Sequence, residues 1–397
     1  MEKRTKAALV FLAVVLAGFD ASFSRAAPVH HESILEVKNP LDVPRSEQVL
    51  ALPLAAVIAK THVDPKQLAI EDLASHTELA TQLYSSKAGE APDQLLVLVN
   101  IAAHQTIRLR IHESVHPYAA TPRVYGRPVP ERMDDFAWEN DKVAYRVYGP
   151  ALQATGEITS GIDVWSKRVP DLIINAWYAR DAVGIRTRNP ALSYHKDNGQ
   201  GLDAYDVGPS RGCGGTSIWN DGKLFSSKNY TSVKILASGP IRFEFRLQYA
   251  PWDAGEDTVS EQKTITLDAG SHLNRIRSNF SITGPEPVKI AAGLAMHPGA
   301  QLLDSSSKDI LAVWEPLSGT AAGMDGTAIV LPDLLSAEKT QVAGNALFLF
   351  PAASAITIAY YAGAAWSKSD IPTPEAWNTY LNRFALELEH PLEIHWR

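Results

Sequence analysis

The sequence predicts an all-β protein, in which a large antiparallel β-sandwich or barrel follows a small β domain. Strand-length runs of alternating or continuously apolar residues, bounded by turn residues, recur along most of the 397 residues. Only one long amphipathic helical pattern stands out, and strands do not alternate with helices as they do in parallel α/β folds. The chain contains no internal repeat and no low-complexity segment.

The first residues are typical of a secretory signal. A basic start is followed by an apolar run from Ala7 to Val15 and then by Gly18. Small residues favour cleavage after Ala26, so the sequence predicts a signal peptide over residues 1–26 and an exported, periplasmic or secreted protein. No later segment is apolar and long enough to span a membrane, so we expect no membrane partner once the signal is removed.

Composition and length limit the class of protein further. The formal net charge is -7 at pH 7, which argues against a nucleic-acid partner, because such proteins present a strongly basic surface. Cys213 is the only cysteine, so no internal disulfide can form and a large apolar core must stabilise the chain. The length predicts roughly two domains, which we place at residues 27–120 and 121–397, the first of them small and β-sandwich-like.

The segment "HESVH" matches the H-E-x-x-H pattern, in which two histidines on one helix bind zinc. The residues before it alternate instead with the period of a strand, since Ile107, Leu109 and Ile111 are apolar and their neighbours are polar. The proline that follows also disfavours a helical conformation at His116. We therefore expect His112 at the end of a strand and His116 in a loop, and the metalloprotease interpretation fails.

Several other segments predict secondary structure. The stretch "TPRVYGRPVPER", residues 121–132, is rich in proline and arginine and predicts a linker. Strands are predicted for "PIRFEFRLQYAPW", "KVAYRVYG", "VKIAAGLAMH", "DILAVWEP", "TAIVLP", "NALFLFP", "AITIAYYAG" and the final "LEIHW". A helix is predicted for "TPEAWNTYLNRFALELE", because Thr373 can cap it, Pro374 suits its first turn, and one face is apolar.

Two stretches concentrate reactive side chains where the strand pattern breaks. The first, "ERMDDFAWENDKVAYRVYGP", places Asp135, Trp138 and Glu139 before a strand that carries Arg146. A flat aromatic ring beside carboxylates is typical of a sugar-binding site, because the ring packs on C–H groups and the oxygens accept from hydroxyls. For Asp134 and Asp141 a solvated acidic turn is the favoured interpretation.

The second stretch, "YHKDNGQGLDAYDVGPSRGCGG", covers residues 194–215 and has six glycines and no apolar run. Its length without predicted secondary structure favours a functional loop. The loop lacks the pattern of a phosphate-binding P-loop or an EF-hand, so we expect no cofactor, with a looser calcium or magnesium site at Asp197, Asp203 and Asp206 as the alternative. Its candidate functional residues are His195, Lys196, Asp197, Asp203, Tyr205 and Arg211.

Together these stretches resemble a bacterial family of exported proteins, the domain of unknown function 4861 family. The resemblance rests on "RMDDFAWENDKVAYRVYGPAL", "DVWSKRVPDLIINAWY", the 194–215 stretch with "WNDGKLFSSKNY", and "AWSKSDIPTPEAWNTYLNRF". It implies a galactose-mutarotase-like β-supersandwich in the large domain. It also implies a carbohydrate-active enzyme on uronic-acid-containing oligosaccharides, acting as a dehydratase or lyase by β-elimination.

Such an elimination requires a group that neutralises the uronate carboxylate, a base for the C5 proton and an acid for the leaving oxygen. We assign the base to His195, oriented by Asp197 or Asp203, and the acid to Tyr205 or His297. Arg211, with Lys167 or Arg146, is the candidate for the carboxylate. Asp135, Trp138 and Glu139 would hold the sugar ring and its hydroxyls.

Two other classes of protein fit the same residues. A glycoside hydrolase needs two carboxyl groups that flank the glycosidic oxygen, and Asp135, Glu139 and Asp197 could supply them. A non-catalytic sugar-binding or mutarotase-like protein would also explain the aromatic and acidic side chains. The sequence favours the lyase or dehydratase, with an acidic oligosaccharide as the partner.

Overall fold

A computed structural model describes residues 32–284, 288–305, 307–319, 321–332 and 336–397. The predicted signal peptide, residues 1–26, lies outside the described residues. Within them the protein is all-β, as predicted, and its strands form antiparallel sheets. No described helix has the length and apolar character needed to cross a membrane.

The small domain consists of two sheets and one helix around a core of their inward-facing apolar side chains. Its first sheet has the order β27-β1-β7-β3-β4, and its second the order β2-β6-β5. The elements are β1 (Glu32–Lys38), β2 (Arg45–Pro53), α1 (Leu54–Thr61), β3 (Leu68–Asp72), β4 (Thr77–Glu78), β5 (Thr81–Tyr84), β6 (Gln94–Ile101), β7 (Thr106–Glu113) and β27 (Glu393–Trp396). Strand β27 therefore comes from the far end of the sequence, and the division of the chain near residue 120 stays a prediction.

The "HESVH" segment lies at the end of strand β7, as the alternation predicts. Ile107, Leu109 and Ile111 are buried, and His112 lies one residue before the end of the strand. His116 lies beyond the strand, where its backbone N–H donates to Ser114 Oγ. The two imidazoles do not share a helix face, so the segment has no zinc-site geometry.

The large domain has three further sheets. The site sheet, which carries most of the candidate residues, has the order β12-β11-β10-β9-β8, with β8 (Val124–Val129), β9 (Asp135–Asn140), β10 (Ala144–Val147), β11 (Asp163–Lys167) and β12 (Gly201–Leu202). A second sheet has the order β14-β13-β20-β25-β24, with β13 (Cys213–Asn220), β14 (Lys223–Phe225), β20 (Lys289–Ala295), β24 (Glu338–Val342) and β25 (Asn345–Pro351).

The third is a nine-stranded sheet, ordered β15-β16-β18-β19-β26-β23-β22-β21, with β17 paired to β18. The three sheets enclose one large apolar core that includes Phe136, Phe245, Ile276 and Phe348. The strands of the third sheet are β15 (Ser232–Ser238), β16 (Arg242–Gln248), β17 (Trp252–Ala254), β18 (Asp257–Asp268), β19 (Leu273–Thr283), β21 (Gln301–Leu302), β22 (Ile310–Pro316), β23 (Met324–Val330) and β26 (Ala355–Trp366).

The large domain also contains the helices α2 (Pro150–Gln153), α3 (Ile174–Thr187) and α4 (Pro374–Glu389). Helix α4 is the predicted one, and Thr373 Oγ1 accepts from the Ala376 N–H at its start. Trp377 and Leu381 pack its apolar face on the nine-stranded sheet. Helix α3 is not evident in the sequence, because Val183 and Ile185 are exposed and interrupt its apolar face.

Two local predictions are wrong. The predicted linker contains strand β8, an edge strand of the site sheet, where Pro128 is tolerated because an edge strand need not donate every N–H. A Cβ at Gly126 of this strand would lie 2.4 Å from the Phe243 ring, so only glycine fits there. The break predicted around Asp135 is strand β9, all six residues of which are buried.

Candidate functional site

A buried ionic cluster forms the base of the candidate site, and Arg146 lies at its centre. Arg146 Nη2 lies 2.6 Å from Asp163 Oδ2 on the neighbouring strand and 3.0 Å from Asp203 Oδ2. Arg146 Nη1 lies 3.9 Å from Asp135 Oδ2. Burial raises the pKa of Asp135 to about 6 and raises that of Asp203 well above its ordinary value. One guanidinium thus faces three buried carboxyl groups.

Aromatic rings enclose this cluster and fix its geometry. The guanidinium carbon of Arg146 lies 5.1 Å from the centre of the Tyr148 ring and 5.3 Å from that of Trp165. The Tyr194 hydroxyl accepts from Arg146 Nη1 at 3.3 Å and from Arg132 Nε at 3.2 Å. The ionic groups of the cluster are therefore enclosed by aromatic rings, and they fix one another's positions.

His195 lies on this cluster but faces the outside, with 56 % of its side chain exposed. Its Nδ1 lies 2.9 Å from the carbonyl oxygen of Asp203 and 3.5 Å from Asp203 Oδ2. A carbonyl oxygen can only accept, so we assign the ring hydrogen to Nδ1, which leaves a lone pair on Nε2. An exposed imidazole oriented in this way can remove a proton from a bound molecule.

His297, unlike His195, contacts hydrogen-bond acceptors through both of its ring nitrogens. Its Nδ1 lies 2.9 Å from Glu315 Oε1, and its Nε2 contacts the carbonyl oxygen of Asp206. The hydrogen bond to Glu315 raises the pKa of His297, because it favours the protonated ring. Both ring nitrogens face acceptors, which favours the doubly protonated ring, and donation of the Nε2 proton to a bound molecule requires the hydrogen bond to the Asp206 carbonyl to open.

Tyr205 lies beside His297, with the two rings perpendicular and their centres 5.5 Å apart. Its hydroxyl is buried and has no hydrogen-bond partner among the described residues. Burial raises the pKa of Tyr205 well above its ordinary value, so the phenol stays protonated. A pocket of about 280 Å³ opens here and is lined by Ala204, Tyr205, Asp206, His297, Pro298, Pro316, Leu317 and Ser318.

His195 and His297 lie at the two ends of one short segment, residues 203–206, and we name the surface along this segment the cleft. Both contact the same short segment, His195 at the Asp203 carbonyl and His297 at the Asp206 carbonyl. Three residues of extended chain span at most about 11 Å, which limits the separation of the two carbonyl groups that the histidines contact. The sequence could not show this, because 102 positions separate them.

Arg168 is a partly exposed cation that the sequence analysis did not single out. Its guanidinium lies 4.5 Å from the centre of the Trp366 ring, forms an ion pair with Asp197, and is 30 % exposed. Trp366 Nε1 donates to the Ala322 carbonyl. That carbonyl belongs to the 317–323 loop, whose residues Leu317 and Ser318 line the pocket. Arg168 follows directly after strand β11, whose residues are all buried, and no pattern in the sequence marks it as the first exposed residue there.

All seven predicted substrate-binding residues are buried, and the three described next bind other groups of the protein. Trp138 is fully buried, stacks on Tyr145, and donates through Nε1 to Asn274 Oδ1 at 2.8 Å. Glu139 and Lys167 are also buried and form an ion pair at 3.0 Å. Glu139 further accepts from the backbone N–H groups at the start of helix α3. These residues stabilise the fold, and their assignment to substrate is corrected accordingly.

Arg211 is also placed away from the cleft. Its guanidinium donates to Ser160 Oγ and to the carbonyls of Thr216 and Pro209. Burial lowers its pKa to about 10. Arg211 lines a separate pocket beside Asn345, so it cannot neutralise a carboxylate held between His195 and His297.

In the alternative metal site, two of the three carboxyl groups form ion pairs with different arginines. Asp197 pairs with Arg168, and Asp203 pairs with Arg146. Among the ranges that the structure describes, no group of three or more His, Cys, Asp or Glu side chains is arranged to hold a metal ion. The buried Cys213 thiol has its pKa raised by burial.

The fold and the site define an all-β protein with two histidines at an open cleft above a buried ionic cluster. Residues 37–394 match the family described as Domain of unknown function (DUF4861), and the chain belongs to this family. A relative from Formosa agariphila, named uncharacterized protein P7, is 33 % identical over 377 residues, which cover 91 % of this chain and 92 % of the relative.

The fold is similar to that of two solved structures from Enterococcus faecalis. One is a protein in the glycosyl hydrolase family 38, with a TM-score of 0.50 and 8 % identity over 92 % of this chain and 47 % of that chain. The other is an alpha-mannosidase, with a TM-score of 0.48 and 8 % identity over 92 % of this chain and 46 % of that chain. The chain spans about half the length of these solved chains, and at this identity the likeness concerns the fold.

Proposed function

We propose that the protein is a carbohydrate-active lyase that acts on uronic-acid-containing oligosaccharides by β-elimination. The observation that carries the proposal is that His195 and His297 contact the same short segment, residues 203–206. The ring hydrogen that we assign to Nδ1 of His195 leaves its Nε2 free to accept, and the hydrogen bond to Glu315 raises the pKa of His297 and so favours its protonated form. A base and an acid on the same cleft are what an elimination requires.

The reaction follows from these two groups. His195 Nε2 removes the C5 proton, the C5–H electron pair forms the C4–C5 double bond, and the oxygen on C4 leaves with a proton from His297. Loss of the C4 hydroxyl gives water and an unsaturated uronate, and the reaction is then a dehydration. The Asp203 carboxylate, 3.5 Å from His195 Nδ1, stabilises the imidazolium that forms.

The acidity of the C5 proton depends on neutralising the uronate carboxylate. Arg146, Lys167 and Arg211 are buried and already bound by other groups, so we assign this role to Arg168. A guanidinium binds a carboxylate through two parallel hydrogen bonds. A substrate carboxylate would take the place of the Asp197 carboxylate, and Trp366 keeps the guanidinium in position during the exchange.

Tyr205 is the alternative proton donor. Its buried hydroxyl lacks a partner in the described part of the chain and lies at the same pocket as His297.

The hydrolase alternative is weakened, because Asp135 and Glu139 are fully buried and cannot flank a glycosidic oxygen.

The test is a product assay with purified protein and uronic-acid-terminated oligosaccharides, with and without a chelator. Ultraviolet absorbance and product mass are followed together. We expect new absorbance, loss of one water and an unchanged number of sugar units, with equal rates in both arms. Shortened saturated chains that have gained water would instead establish a hydrolase. No change in either readout across several uronate linkages would contradict the lyase proposal.

A further inference from the structure

The outer face of the nine-stranded sheet carries a row of basic side chains. Residues of β16, β18 and β19 alternate between the core and this face, so that Phe245 and Ile276 point inward and their neighbours outward. The outward cations of the row are Lys234, Arg246, Arg275 and Arg277. We name these four side chains the basic row.

The strand register brings the basic row together. Lys234 lies directly opposite Arg246, Arg246 opposite Thr264, and Thr264 opposite Arg277. Neighbouring strands are about 4.8 Å apart, so the Cα atoms of Arg246 and Arg277 are roughly 10 Å apart. Like charges directly opposite each other destabilise a sheet. The sheet therefore tolerates a repulsion between Lys234 and Arg246 that a bound anion would relieve.

None of the four cations has a carboxylate partner within 4.0 Å among the described residues. The acidic groups on the same face are already bound. Glu244 accepts from the Tyr84 hydroxyl at 2.8 Å and from Thr266 Oγ1 at 2.7 Å. Asp268 holds Arg242 through two hydrogen bonds. The cations of the basic row are thus not paired directly with carboxylates, on a protein of net charge -7.

Neutral hydrogen-bonding groups surround the basic row. Gln248, Gln262, Asn279 and Thr357 form a line across the next row of the sheet. Amide and hydroxyl groups of this kind bind sugar hydroxyls and exclude an apolar partner. The face therefore offers cations for acidic groups and polar side chains for the hydroxyls between them.

At one end the face becomes a groove of about 250 Å³. Thr266, Arg275 and Tyr361 form its floor, where Arg275 lies opposite both of the other residues. Val49 of the small domain and Phe384 of helix α4 form its walls. The groove carboxylates of Glu47 and Glu387 are paired with Arg123 and with Arg383, respectively.

We propose that the basic row and this groove form a second, non-catalytic site that binds a linear anionic polysaccharide. The class of ligand rests on the proposed function, and the site itself rests on the charge and register of the sheet. The large core separates this face from the His195 cleft, since the inward residues of β16 pack toward strand β9. The second site would hold the protein on a polymer while the cleft acts on oligosaccharides.

The test uses electrophoresis of the mature protein in native gels that contain alginate, dextran or double-stranded DNA. The variant replaces Arg246, Arg275 and Arg277 by Gln. A control of equal charge replaces Lys60, Lys66 and Arg186 by Gln, all of which are exposed elsewhere. We expect alginate, but not dextran, to retard the parent and the control, with at least about a fivefold weaker apparent affinity for the variant. Added salt should reduce the retardation.

Several outcomes would overturn the proposal. These are an unretarded parent, equal loss of retardation in the variant and the control, or tighter binding to DNA than to alginate. Circular dichroism and the melting temperature of both triple variants show whether a loss of binding reflects unfolding. The gel assay does not depend on turnover, so a failure of the lyase proposal and a failure of this site are distinguishable.

Discussion

The Arg146 cluster and the His195–His297 cleft are polar regions in contact with each other, and they differ in what their groups are free to do. In the cluster the groups are buried, paired and enclosed by aromatic rings. In the cleft His195 is mostly exposed, and His297 is one-quarter exposed. The comparison teaches that the most conspicuous charges of this protein are buried and paired, whereas the imidazoles that we propose as reactive groups are partly exposed.

The largest expected effect is on catalysis, from His195→Ala. Without the base, we expect kcat to fall by about 100- to 10,000-fold, as for the loss of a general base. The free energy of unfolding should change little, because the side chain is mostly exposed. Ultraviolet absorbance at saturating substrate measures kcat, and urea unfolding measures the free energy of unfolding. His112→Ala, in the small domain, is the matched control and should keep full activity; a fully active His195→Ala variant would contradict the assignment.

The next effect is on stability, from Arg146→Met. Removal of the guanidinium leaves Asp135, Asp163 and Asp203 buried without a cation, which we expect to destabilise the protein by about 3–5 kcal/mol. The loss should be smaller at pH 5 than at pH 8, because the carboxyl groups can then be protonated. Urea unfolding at both pH values measures it. Arg186→Met, on the exposed side of helix α3, provides the comparison. Equal stability of the two variants would show that the cluster does not need its cation.

His297→Gln separates the acid from the base. The Glu315 hydrogen bond raises the pKa of His297, so its stabilising charge pair is complete below the pKa of an unfolded histidine and is lost as the pH rises through the raised value. Gln cannot carry the proton, and we expect kcat to fall by about a hundredfold and the alkaline limb of the pH profile to disappear. The pH profile of kcat checks this. A persistent alkaline limb in His297→Gln that is absent in Tyr205→Phe would assign the acid to Tyr205.

The smallest expected effect is that of Arg168→Gln. Because Arg168 is partly exposed, its ion pair with Asp197 contributes about 1 kcal/mol or less to stability. If Arg168 binds the substrate carboxylate, its replacement should raise KM for the free uronate by about tenfold. A methyl-esterified uronate, which should have a higher KM than the free acid with the parent protein, should then have a similar KM to the acid. Steady-state kinetics with both substrates measures this. An unchanged KM for the free acid would remove Arg168 from the site.

Much of the fold could be predicted from local patterns. Strand β7 and helix α4 follow from alternation and from the Thr373 cap, which are properties of neighbouring residues. Strand β9 was missed because it is buried on both faces, so its acidic and aromatic residues do not alternate with the period of a half-exposed strand. Helix α3 was missed because Val183 and Ile185 are apolar but exposed, so the sequence shows no clear separation of an apolar and a polar face.

The site could be predicted in part. Loop composition pointed to His195, Asp203 and Tyr205, all of which the structure places at the cleft or directly beneath it. The loop could not indicate that Asp203 meets Arg146, 57 positions away, or that Glu315 holds His297. Whether a charged residue is exposed or buried depends on such distant pairs. The sequence analysis therefore assigned Trp138 and Glu139 to substrate binding although they are buried, and it did not select Arg168.

The pairing of strand β27 with β1 also bears on how the protein is made. Leu35 lies opposite Trp396, so the first sheet of the small domain is completed only after nearly the whole sequence has left the ribosome. Until then, one edge of β1 lacks its neighbour and is open to pairing with other chains. A nascent or truncated chain therefore needs protection from aggregation at β1, although the residues that relieve the problem are translated long after it.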